Sequence, residues 1–185
     1  MSLRDGRPAG ARGWRAFVHR ISARLYGPSR STTWLSWIGD ERLAVGNLPT
    51  PQTLARLPGE GVTHVVNCRF RAQTWLSQDL AMERAVFTPA RVMHAPMWDN
   101  GRPKEPERFE RAVLFAVAAL HEDPSHRVLV HCQQGRRRSV LVAYAVLRLS
   151  GHGPDEAARL IATHRRESEL VPAYRDSVER WLRER

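Results

Sequence analysis

The sequence has little cysteine, almost no lysine and no long apolar run, and each shortage narrows what the chain can be. Its two cysteines, Cys68 and Cys132, are too few for a disulfide framework, so a reducing, cytoplasmic compartment is the expected location. No apolar stretch approaches the roughly 18 residues that a membrane span needs. The opening residues also lack the apolar centre of a secretory signal. Lysine occurs once, at Lys104, so the formal charge of +10 is carried by arginine. Those arginines run along the whole chain instead of clustering with aromatics in a recognisable module, and no nucleic-acid partner is expected. Their charge does favour an acidic substrate through long-range steering.

What is present suits one domain with a short appendage: 185 residues, 42% of them hydrophobic, are enough to bury a core. Residues 1–33 form a basic extension holding seven arginines and a single acid, Asp5. Within it Trp14, Phe17, Val18, Ile21 and Leu25 fall at helical spacing, which predicts a short amphipathic helix. Such a helix packs on the domain, touches a membrane peripherally through residues 14–25, or belongs to a cleaved targeting segment.

From 34 to 185 strands alternate with helices, the pattern of an α/β domain with a small central sheet flanked by helices. Strands are predicted at Arg42–Val45, Thr63–Asn67, Val92–His94 and Val128–Val130. Thr50 reads as an N-cap with Pro51 at the first helical position. Phe109, Ala112, Val113, Ala116, Val117 and Leu120 make one helical stripe over 105–121. The segment Ser139–Leu149 is apolar almost all round, which predicts a buried helix, and two amphipathic helices follow from Pro154 and Pro172.

The chemistry concentrates in His131-Cys132-Gln133-Gln134-Gly135-Arg136-Arg137-Arg138-Ser139. In so arginine-rich a chain the spacing of Cys132 and Arg138 alone means little; the surroundings carry the argument. A strand delivers Cys132, Gly135 sits mid-loop, Ser139 follows Arg138, and an apolar helix begins at once. A loop ending in a helix start aims backbone N–H groups inward and binds a phosphate dianion, with Gly135 supplying unusual backbone angles. Arg138 can clamp two phosphate oxygens with its planar fork. The same field should lower the Cys132 thiol by about three units from the usual value of about 8.5, leaving it almost wholly thiolate. His131 orients the loop, and Ser139 can hydrogen-bond the sulfur. A buried structural thiol would leave Gly135 and the Arg138-Ser139 pair without a purpose.

This run, with LAVGNLPTPQTLARL and GVTHVVNC before it, resembles the protein tyrosine phosphatase superfamily, in its dual-specificity branch, over roughly residues 33 to 183. The resemblance implies a phosphocysteine intermediate, no metal or other cofactor, and a general acid on a mobile loop. Asp99, in Pro96-Met97-Trp98-Asp99-Asn100-Gly101-Arg102-Pro103, suits that acid; Glu105 is the next candidate. Asp79 is set aside as part of a surface segment, and Asp123 as part of the connection before the Cys132 strand. The resemblance also implies that a thiol placed like Cys68 can bridge to the nucleophile, although an idle buried cysteine is the first reading.

Gln133, Gln134, Gly135, Arg136 and Arg137 are the expected substrate-binding residues. A phosphorylated protein is the first expected substrate. The basic pair Arg136-Arg137 makes a phosphoinositide or phosphatidylglycerophosphate the alternative. An inactive module that binds phosphate without turnover is the non-enzyme alternative.

Overall fold

The computed structural model describes residues 34–185; the basic extension and its predicted helix at residues 14–25 lie outside the described residues. The elements run β1 (Leu35–Trp37), β2 (Leu43–Gly46), α1 (Pro51–Arg56), β3 (His64–Asn67), α2 (Arg71–Ser77) and α3 (Asp79–Phe87). They continue with β4 (Val92–His94), α4 (Glu110–Glu122), β5 (Val128–His131), α5 (Arg138–Leu149), α6 (Pro154–His164) and α7 (Pro172–Glu184). Thr50 caps α1 as its sequence predicts, accepting a hydrogen bond of 3.1 Å from the Thr53 N–H.

One five-stranded sheet has the order β1-β2-β5-β3-β4. Only β1 is antiparallel; β5 lies between β2 and β3, parallel to both, with His131 level with Gly46 and Asn67. The carboxyl ends of four parallel strands therefore meet at one edge, where open α/β sheets form their sites.

Alternation along the strands sorts the core into two layers. Leu43, Val45, Val66, Val128 and Val130 face α4, α5, α6 and α7, while Ala44, Val65, Val92 and Leu129 face α1 and α3. Helix α5 runs through the first layer with Val140 to Leu147 wholly enclosed, as its all-round apolar sequence predicts.

Sequence patterning misses β1, α2 and α3, and it misplaces Asp79. Far from the surface, Asp79 is 2% exposed at the first position of α3, and Glu83 one turn later is 0% exposed. Helix α3 buries its acids, while α2 leaves Trp75 and Leu76 in solvent. That inverted polarity hides both helices from any search for an apolar stripe.

Candidate active site

Strand β5 ends at His131, and the chain turns from Cys132 into α5 through a loop whose backbone can close only at glycine. Gly135 has φ +64°, and a Cβ there would lie 2.6 Å from the Gly46 carbonyl. The loop is braced from behind by Arg165, which is wholly buried at the end of α6. Its Nε donates to the Gly135 carbonyl at 2.7 Å and its Nη1 to the Val45 carbonyl at 3.1 Å. No local pattern in the sequence marks Arg165 for this task.

Cys132 is 1% exposed, its Sγ 3.3 Å from the Ser139 Oγ. Burial by itself would push the thiol up. The Arg138 guanidinium, the Ser139 hydroxyl and the backbone N–H groups of Ser139 and Gln134 outweigh it and bring the pKa down to about 7. About half the thiol is then ionised at neutral pH, less than the near-complete ionisation expected from sequence. The cause is enclosure, which the sequence does not display.

Arg138 is 5% exposed and held along one edge. Its Nη1 donates to the Gln73 Oε1 at 3.0 Å and to the Met97 carbonyl at 3.3 Å. Its Nε is buried without a hydrogen-bond partner, 3.9 Å from the Asp99 carboxylate. A buried donor without a hydrogen-bond partner in the cavity that Cys132 lines suits a ligand with acceptor oxygens.

Asp99 stands on the loop after β4, with its carboxylate one-third exposed. The buried Tyr174 of α7 donates to its Oδ1 at 3.2 Å and accepts from the Gly101 N–H at 3.2 Å. Ser177 of the same helix accepts from the Lys104 N–H at 2.9 Å, so α7 anchors the Asp99 loop at both ends. Together Gln73, Trp98, Asp99, Cys132, Gln133, Gln134, Arg136, Arg137 and Arg138 line a cavity of about 230 Å³. Glu105 and Asp123 do not line it.

His131, at the start of the loop, has a partner the sequence conceals: its Nε2 lies 2.8 Å from the Glu83 Oε1 with both side chains fully buried. Burial lowers its pKa, but Glu83 and then Asp79 raise it above the ordinary value. Asn67 donates to Asp79 at 2.8 Å and to Glu83 at 3.0 Å, and Arg69 pairs with Asp79 at 2.7 Å.

Arg69 also donates to the Gln133 side chain at 3.0 Å, so Gln133 is a brace of the loop as well as part of the cavity lining. Arg137 forks onto Glu169 at 2.7 and 2.8 Å, and Arg136 reaches the same carboxylate at 3.5 Å. Both arginines line the cavity, and Glu169 takes up part of the charge that the sequence suggests for substrate. Cys68 is buried with its thiol free and pushed up, first by burial and then by the neighbouring Cys132. Among the described residues, one group, His64, Glu122 and His126, brings metal-ligating atoms within 4.8 Å of one another. It lies at the opposite end of β3 and β5 from Cys132.

Solved structures share this architecture. PTPMT1 in complex with PI(5)P superposes with a TM-score of 0.70 and 21% identity, covering 82% of this chain and 96% of its own. Tk-PTP in the active form gives 0.68 and 22%, covering 84% and 99%. Human DUSP28 gives 0.65 and 20%, covering 83% and 95%. No protein-family model matches the sequence, and no curated protein matches it significantly. The likeness is one of fold, that of the dual-specificity phosphatases.

Proposed function

We propose that the chain hydrolyses phosphate monoesters through a phosphocysteine intermediate, as a tyrosine or dual-specificity protein phosphatase. The observation that carries this reading is the grouping in one cavity of the enclosed Cys132 sulfur, 3.3 Å from the Ser139 Oγ, the Arg138 Nε that lacks a hydrogen-bond partner, and the Asp99 carboxylate 3.9 Å from that Nε.

In the first step the Cys132 sulfur attacks phosphorus, and protonated Asp99 gives its proton to the departing alcohol or phenol oxygen. In the second, Asp99 takes a proton from water as that water attacks phosphorus, and the sulfur leaves as a thiolate hydrogen-bonded by Ser139. Arg138 and the loop N–H groups hold the phosphoryl oxygens through both steps.

A second reading, a lipid or other non-protein phosphate, is supported by Arg136 and Arg137 at the cavity rim and by the PI(5)P complex among the similar structures. The partial neutralisation of that pair by Glu169 keeps protein substrates first.

Aryl phosphate hydrolysis by the reduced protein, with chelator present, tests the chemistry. Turnover should persist in chelator, vanish in Cys132→Ser, and fall about 10²- to 10⁴-fold in Asp99→Ala. Absence of turnover by the wild type would overturn the reading in favour of a phosphate-binding module.

A further inference from the structure

Four large apolar side chains stand exposed among the described residues, three of them on α2 or on the loop that packs against the residue before it. They are Trp75 at 72%, Leu76 at 42%, Val86 at 37% and Trp98 at 60%. Trp75 and Leu76 belong to α2 and Val86 to α3. Trp98, on the acid loop, stacks at 4.0 Å on Phe70, the residue before α2.

Four arginines frame the same face. Arg71, Arg84, Arg108 and Arg111 line a groove of about 400 Å³ in which Glu107 is the only acid. A neighbouring hollow that contains Trp75 shares Arg71, Arg84 and His94 with that groove, so the surface is continuous. Among the described residues, none of the four guanidinium groups has a hydrogen bond, an ion pair or a ring contact.

The imbalance has a structural origin. Helix α2 contains no acid, and α3 spends Asp79 and Glu83 inward on Arg69, Asn67 and His131. Arg84 is left facing outward with no compensating charge on its own helix.

We propose that this face docks on an anionic phospholipid surface. Guanidinium groups without protein partners match phosphate headgroups, which accept their planar fork. Exposed tryptophans among them are suited to the interfacial zone, where the ring is buried and the indole N–H stays wet. The exposed apolar groups are few and lie beside arginines instead of forming the continuous stripe that an amphipathic peptide requires. Trp98 belongs both to this face and to the catalytic cavity, so docking turns the cavity mouth toward the headgroups.

The inference does not depend on turnover, and binding is best measured with the full chain carrying Cys132→Ser. Co-sedimentation is compared between vesicles of phosphatidylcholine alone and vesicles with equal parts phosphatidylcholine and phosphatidylglycerol. Binding should appear only with the anionic lipid and weaken with salt. The pair Arg84→Ala and Arg111→Ala should lower the partition coefficient about 30-fold, and Trp75→Ser should lower it further. None of the three residues lines the catalytic cavity. With Cys132 restored, the variants should therefore keep their aryl phosphate turnover, which also reports that they fold.

Vesicle binding unchanged in the double variant would overturn the proposal and assign the affinity to the basic extension. Failure of the parent to bind anionic vesicles would overturn it too, as would tighter capture of an acidic peptide than of lipid by the same arginines.

Discussion

Two opposing effects act on Cys132. Enclosure suppresses its thiolate, while Arg138, Ser139 and the loop N–H groups favour it, and the outcome is a pKa of about 7. The thiolate is the reactive form, so its population rises as pH increases through that value. Inactivation by iodoacetate should follow the same curve, with a midpoint near 7 in place of the usual value of about 8.5. Ser139→Ala should move the midpoint upward, and Arg138→Met should move it further, because Arg138 is the largest of the lowering influences. A midpoint that ignored both substitutions would show that backbone groups alone set the thiol. The identities of Cys132, Gly135, Arg138 and Ser139 were readable in sequence because their spacing is local. The size of the thiol shift was not, since it depends on how completely other elements cover the sulfur.

Helix α3 shows what an element can conceal. Its inner face carries Asp79 and Glu83, which neutralise Arg69 and bind Asn67 and His131 beneath the Cys132 loop. Removing one member of a buried charged pair leaves the others unpaired, so Glu83→Ala should cost about 3–5 kcal/mol in denaturant unfolding. The pH dependence has a definite sign. Glu83 and Asp79 raise His131 above its ordinary 6.5, so its contribution is fully present below about that pH. It is lost as pH rises through the raised folded-state value. The gap in stability between wild type and Glu83→Ala should accordingly be wider at acidic than at alkaline pH, and a gap independent of pH would count against a charged pair. A polar inward face reads in sequence as a solvated helix or a loop, and only the pairing across β3 and β5 reverses that reading. By contrast α4 and α5 follow their apolar patterns, since each buries its hydrophobic side chains in the ordinary way.

Across the whole molecule, Arg165 ties distant parts of the chain to one loop. It joins the end of α6 to β2 through the Val45 carbonyl, to β1 through Ser36 at 3.2 Å and to the loop through Gly135. Burial lowers its pKa, so the charge is held at a cost that its hydrogen bonds and Glu167 offset. Arg165→Met should release the Gly135 carbonyl without emptying the space. We expect tungstate, a phosphate mimic, to bind at least about tenfold more weakly, the equivalent of roughly one or two hydrogen bonds. Retention of full tungstate affinity would mean that the loop holds its shape unaided. Helix α7 acts over a similar range, bringing Tyr174 and Ser177 from the last described segment to the Asp99 loop.

By itself the sequence determined the alternation of strands and helices, the strand-loop-helix run through Cys132, the candidate Asp99 and the buried character of α5, because periodicity and short-range spacing are written along the chain. It also indicated an excess of positive charge, without showing where that charge is free. Only the tertiary structure decided that Glu83 supports His131, that Arg165 braces Gly135 and that Glu169 takes up Arg137. It alone separated those paired arginines from Arg71, Arg84, Arg108 and Arg111. The physical reason is that pairing and burial depend on groups far apart in sequence, which come together only when β5 is inserted between β2 and β3.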